Sequence, residues 1–186
     1  FACCFNMRKV TRHVLQPHGA TFQTEAEDFV VSNNLDFHPT DVLEDADGSL
    51  LVVDTGAWYK ICCPTSQLAK PDLLGAIYRV RRKDAPKIED PRGLKLSWRA
   101  MKPADLVKLL DDSRPAVRSR AIQQLAKQGN SAQPALTKAL ETSGSNEARR
   151  NAIWALTRIA SPEARSSVRL ALADKDVAVL QAATHS

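Results

Sequence analysis

Pro115-Ala-Val-Arg-Ser-Arg-Ala-Ile-Gln-Gln-Leu125 and Asn146-Glu-Ala-Arg-Arg-Asn-Ala-Ile-Trp-Ala-Leu156 lie thirty-one residues apart and carry one pattern. Val117 matches Ala148, Ala121 matches Ala152 and Leu125 matches Leu156. The same step continues to Val179 and Ala183, and upstream it links Leu109, Leu140 and Ala171. Small or apolar residues recurring at such an interval mark stacked helical hairpins. Pro103 falls at a helix start, where its missing N–H is harmless. Leu106, Leu109 and Leu110 then share one helical face. A break follows at Asp111-Asp-Ser-Arg-Pro115, and Gly129 ends the second helix; the next unit repeats this from Pro134, and a third begins near Pro162. Residues 101–186 are therefore expected to form an all-α solenoid of two and a half repeats. Its last unit should fray, because a hairpin buries its apolar stripe only by stacking on neighbours.

Upstream of the repeats the pattern changes to short strands and turns, making this a mixed two-part chain. Asp41-Val-Leu-Glu-Asp-Ala-Asp-Gly-Ser-Leu-Leu-Val-Val-Asp54 reads as a β-hairpin turning at Asp47-Gly48. A second hairpin is expected from Arg8-Lys-Val-Thr-Arg-His-Val-Leu15 through a turn at Pro17-His-Gly19 to Phe29-Val-Val31. Ala76-Ile-Tyr-Arg-Val80 supplies a last strand before the basic tract Arg81-Arg-Lys83. Regularly spaced short strands indicate an all-β sandwich or propeller. Residues 82–93 hold two prolines, one glycine and many charges, the composition of a linker. The expected division is strands over 1–81, linker over 82–100 and helices over 101–186.

At 186 residues, with 44% hydrophobic and 25% charged, the chain suits one ordinary domain or two small ones. No apolar run approaches the roughly 20 residues of a membrane-spanning helix. The start at Phe1 and the stop at Ser186 within a repeat read as an internal piece of a longer polypeptide. Residues 1–94 carry 11 Lys+Arg against 13 Asp+Glu, whereas residues 95–186 carry 15 against 8. The helical half thus has a balance of +7, which attracts acidic proteins, anionic lipid or nucleic acid unless it is only a solvated face. The arginines lack interleaved aromatics, which argues against nucleic acid.

The cysteines form two adjacent pairs, Cys3-Cys4 and Cys62-Cys63, without the spacing of a zinc or haem motif. Two readings stay open for these four disulfide candidates: cross-links in an oxidising compartment, or buried free thiols. No metal site is expected, since Asp45-Ala-Asp47-Gly48 lacks the later ligands of a calcium loop.

The phrase Asp36-Phe-His-Pro-Thr-Asp-Val42, with Asp45-Ala-Asp-Gly-Ser-Leu-Leu-Val-Val-Asp-Thr-Gly56 and Gly75-Ala-Ile-Tyr-Arg-Val80, resembles closing blades of a six-bladed propeller of the sugar and sorbosone dehydrogenase type. Trp58-Tyr-Lys-Ile-Cys-Cys-Pro-Thr-Ser-Gln-Leu68 narrows the resemblance to the planctomycete-type membrane-bound dehydrogenases, in which HEAT-like repeats and a c-type haem domain follow the propeller. The helical pattern is likewise similar to HEAT repeats, including the spacing from Asp112 to Val117-Arg118. About one and a half blades are expected in this chain, and the haem motif is missing from it.

The resemblance implies that His38 and Asp41 open an inner strand and act as catalytic candidates, His38 as a general base. It places Asp54, Trp58 and Tyr59 near a cofactor, with the long 58–74 connection lining the propeller mouth. It further implies a periplasmic, envelope or secreted parent using pyrroloquinoline quinone, calcium and a c-type haem on a sugar or alcohol. The piece alone is not expected to catalyse. The repeats would dock a protein partner or electron acceptor. Arg118 and Arg149 recur at matched positions beside Arg114, Arg120 and Arg150, forming either a ridge for an acidic or phosphorylated partner or ion pairs within the stack; the matched spacing favours pairing. Trp154 reads as core. The alternative function is a non-enzymatic scaffold that binds protein or glycan.

Overall fold

The computed structural model describes residues 1–57, 70 and 72–186. They divide into two compact units, Phe1–Lys87 and Ile88–Ser186. The first contains two open, antiparallel three-stranded sheets, and the second contains six helices.

Strands β1 (Ala2–Cys4), β2 (Lys9–His18) and β3 (Thr21–Val31) form the first sheet in that order. Strands β4 (Pro39–Glu44), β5 (Leu50–Asp54) and β6 (Ala76–Val80) form the second. At three residues, β1 is too short to show alternation, so the sequence did not reveal it. The two sheets share a small core in which Val10 and Val52 are fully buried and Phe37 nearly so. Cys3, Phe29, Val30, Val42 and Val80 surround these residues.

The β2–β3 ribbon is longer than its sequence indicates. β2 runs on through Pro17, and the chain reverses at Gly19, whose φ is 60°. His18 and Thr21 close a two-residue loop, so Pro17 and Phe22 form the next, non-hydrogen-bonded pair. The missing N–H of Pro17 therefore faces the outer edge, which β1 leaves uncovered because it pairs only as far as Thr11. Beyond that point both ribbon faces are exposed, so no apolar alternation was required.

The β4–β5 turn forms at the expected Asp-Gly pair. Gly48 has a φ of 75°, its N–H donates to the Asp45 carbonyl, and Asp47 accepts from the Ser49 amide. Arg79 on β6 pairs with Asp45 at 2.7 Å, and Arg81 pairs with Asp47. These carboxylates hold guanidinium groups rather than a calcium loop.

In the second unit, helices α1 (Pro103–Lys108) and α2 (Pro115–Gln128) make the first pair. Helices α3 (Gln133–Thr142) and α4 (Asn146–Leu156) make the second, and α5 (Pro162–Leu170) and α6 (Val177–His185) make the third. Proline occupies the first turn of α1, α2, α3 and α5, where its absent N–H has no intrahelical acceptor. Ser145, Ser161 and Asp176 cap α4, α5 and α6 through their side-chain oxygens. Ala121, Ala152 and Ala183 are all buried, and their small side chains permit the second helices to approach closely. No described helix is long and apolar enough to cross a membrane.

The unit boundary divides the segment expected to be a linker, placing residues 88–100 with the helices. There Asp90 accepts from the Leu94 and Lys95 amides, and Arg114 donates to the Asp90 carbonyl at 3.0 Å. Trp98 is buried in the helical core, its indole N–H donates to the Gly93 carbonyl at 2.6 Å, and Arg120 lies 4.7 Å above its ring. Gly93 has a φ of 62°, and a Cβ there would lie 2.8 Å from Val117 Cγ2. This segment seals the first end of the stack. Trp98→Ala should destabilise the helical unit by about 3–5 kcal/mol, read from urea unfolding followed by circular dichroism.

Candidate interaction surface

The structure brings His38 and Asp54 together. The His38 amide donates to Asp54 Oδ1 at 2.8 Å, and the Gly56 amide donates to the same oxygen at 2.9 Å. His38 Nδ1 donates to the Gly56 carbonyl at 2.8 Å, which identifies Nδ1 as protonated. Both residues are buried, and the bonds tie the start of β4 to the end of β5. Asp41 is exposed on β4 and accepts from the Val42 amide.

This geometry fits a backbone clasp better than a cofactor cradle, because both Asp54 bonds and the Nδ1 bond of His38 go to the main chain. Among the described residues no group of three or more His, Cys, Asp or Glu could hold a metal ion. Trp58, Tyr59, Cys62 and Cys63 lie outside the described residues. Cys3 and Cys4 carry free thiols. Burial, reinforced by the charge of Asp41, raises the pKa of Cys3. Asp54→Ala would leave two buried amides without their acceptor and should cost on the order of 2 kcal/mol, read as a lower urea midpoint for the sheet unit.

In the helical unit, Arg149 is buried and forms a two-pronged pair with Asp174, at 2.7 Å from Nε and 3.0 Å from Nη2. Its Nη1 donates to the Ser143 carbonyl at 2.9 Å. Arg118 repeats the second bond one step earlier, donating to the Asp112 carbonyl at 2.7 Å. Twenty-five residues beyond Arg149 stands Asp174, but twenty-five beyond Arg118 stands Ser143. Arg118 turns instead to Glu147 at 3.2 Å, and Arg150 pairs with the same carboxylate. Arg118 and Arg149 thus link consecutive repeats, while Arg150 lies on the outer side of α4.

The Arg149 bonds hold the Asp174 carboxyl below the usual carboxylate range. A carboxylate with a depressed folded pKa contributes stability that is complete above its unfolded value, about 3.9. That contribution drains as pH falls through the lower folded value. Asp174→Asn should therefore lose less stability than the parent chain on acidification from about pH 5 to pH 2, as measured by thermal melts. Arg149→Ala, which leaves the half-buried Asp174 carboxylate with only the Asp176 amide, should cost on the order of 2 kcal/mol at neutral pH, read from urea unfolding.

With those arginines paired, the outer side of the second helices shows a different row. Gln123, Trp154 and His185 recur on the thirty-one-residue step. Trp154 packs partly against the core, and its ring meets His185 edge-on with centroids 6.4 Å apart. Arg150, Trp154, Ala178, Gln181, Ala182 and His185 line a cleft of about 310 Å³ between α4 and α6. Sequence reasoning assigned Trp154 to the core because Ile153 and Leu156 flank it. The ring does pack partly against that core, and its place in the row with Gln123 and His185 adds a second, outward side.

Three stacked helix pairs joined by such side-chain rungs define an α-solenoid. Residues 103–186 match the family model for HEAT repeats, the part of the chain shown to be of that kind. Comparison with curated proteins and with solved structures gave no match. HEAT repeats form repeat-type protein-interaction regions.

Proposed function

We propose that residues 88–186 dock a protein partner through the outer face of the second helices. The observation that carries this reading is the separation of tasks among the arginines. Arg118 and Arg149 are tied into the stack, whereas Trp154 and Arg150 line an open cleft. The test places a photo-crosslinking residue at Gln123 or Gln181 on that face, and at Ala135 on α3 as a control. The reading expects one recurrent protein adduct from the first two positions. Adducts from Ala135 alone, or from none, would count against it.

The finer reading makes this solenoid the docking part of an envelope quinoprotein-like sugar or alcohol dehydrogenase, with an electron acceptor as the partner. Residues 36–80, followed in order by the repeats, support it through sequence resemblance. Pyrroloquinoline quinone, when bound, would accept two electrons from the alcohol, and calcium would serve only as a Lewis acid beside it. The main-chain bonds of His38 and Asp54 favour the scaffold alternative for the sheet unit. Dye reduction by the complete gene product, supplied with the quinone, calcium and a panel of sugars and alcohols, separates the two. Turnover supports the dehydrogenase, and its absence alongside intact crosslinking supports the scaffold.

A further inference from the structure

We infer that the α4–α6 cleft seats an acidic, extended protein segment around one aromatic side chain, with Trp154 as the platform and Arg150 and Arg158 as the charge clamps. This inference rests on the docking reading above and adds the chemistry of the partner.

Charge is the first argument. Helices α2 and α6 contain no acidic residue, and α4 contains only Glu147. Glu147 is already paired with Arg118 and Arg150. Helix α2 also carries Lys127, one repeat before Arg158, which follows the end of α4 by two residues. The Arg158 guanidinium donates to the Trp154 main-chain carbonyl, which holds it at the C-terminal end of α4, just outside the cleft lining. A partner on this face therefore meets more cations than carboxylates, with Glu147 and the α6 cap Asp176 both already bonded, so acidic segments are drawn in and basic ones repelled.

Shape is the second argument. The cleft has an indole wall, an imidazole at its edge and the small Ala178 and Ala182 as its floor. A planar ring entering there can stack on Trp154 while flanking carboxylates reach Arg150 and Arg158. Aromatic and arginine groups at the centre of a contact carry most of its binding free energy.

Fluorescence anisotropy on the 186-residue chain tests the inference. The probe is a short labelled peptide of glutamates around one phenylalanine; companions replace the phenylalanine with glycine or the glutamates with lysines. The expected result is saturable binding of the first peptide, weakened about tenfold or more by Trp154→Ala and weakened further by added salt. Arg150→Gln with Arg158→Gln changes only exposed or half-exposed groups and should give a comparable loss, and circular dichroism confirms that each variant is folded. No saturable binding would overturn the inference. So would equal binding of the glycine peptide, indifference to both variants, or tighter binding of duplex DNA to the same face at near-physiological salt. If the peptide fails while crosslinks at Gln123 and Gln181 persist, docking stands and this partner chemistry falls. If both fail, the docking reading falls as well.

Discussion

A guanidinium buried as deeply as that of Arg149 persists only if its donors find acceptors, because an unpaired charge in that setting is too costly. Asp174 and the Ser143 carbonyl meet that demand, and neither belongs to α4. The third helix pair must therefore settle on the second in one register, with the Asp174 loop over α4. The alanines at 121, 152 and 183 are compatible with that register because they let the helices draw close enough for the guanidinium to reach. The ion pair adds a geometric condition to that packing, because Arg149 must reach both Asp174 oxygens. The same arrangement turns Arg150 and Trp154 outward, so the structural rung and the open cleft follow from one commitment.

The sheet unit follows a parallel logic on a smaller scale. Its shared core is slight, so buried polar atoms hold the strand ends in place. Asp54 gathers the amides of His38 and Gly56, and Arg79 and Arg81 hold the β4–β5 turn through its two aspartates. Asp54 and the turn aspartates serve as fasteners here, because a carboxylate offers several acceptor sites where a turn leaves amides unmatched.

Much of the architecture could be read from the residues. The thirty-one-residue step located six helices, since proline, glycine and small-residue positions each have one physical meaning in a helical hairpin. The Asp47-Gly48 turn and the strand at Ala76–Val80 were equally legible. The β2–β3 ribbon was not, because a ribbon exposed on both faces carries no burial pattern. The helical role of residues 88–100 was hidden too. Pro91 and the surrounding charges describe a linker, while Trp98, with Leu96 and the Asp90–Arg114 contact, anchors the segment. The site was less legible than the fold. Arg118 and Arg149 were recognised as a matched pair, but which arginines face inward depends on Asp174 and Glu147, residues distant in sequence.

Ser143 has a consequence for the joints of the stack. The joint between the second and third helix pairs is riveted by a two-pronged ion pair, whereas the joint before it is held by the partly exposed Arg118–Glu147 pair and by the buried Asn151 amide on the Leu110 carbonyl. The two joints are thus fastened by different chemistry, the later by paired charges and the earlier by a charge pair and a buried amide together.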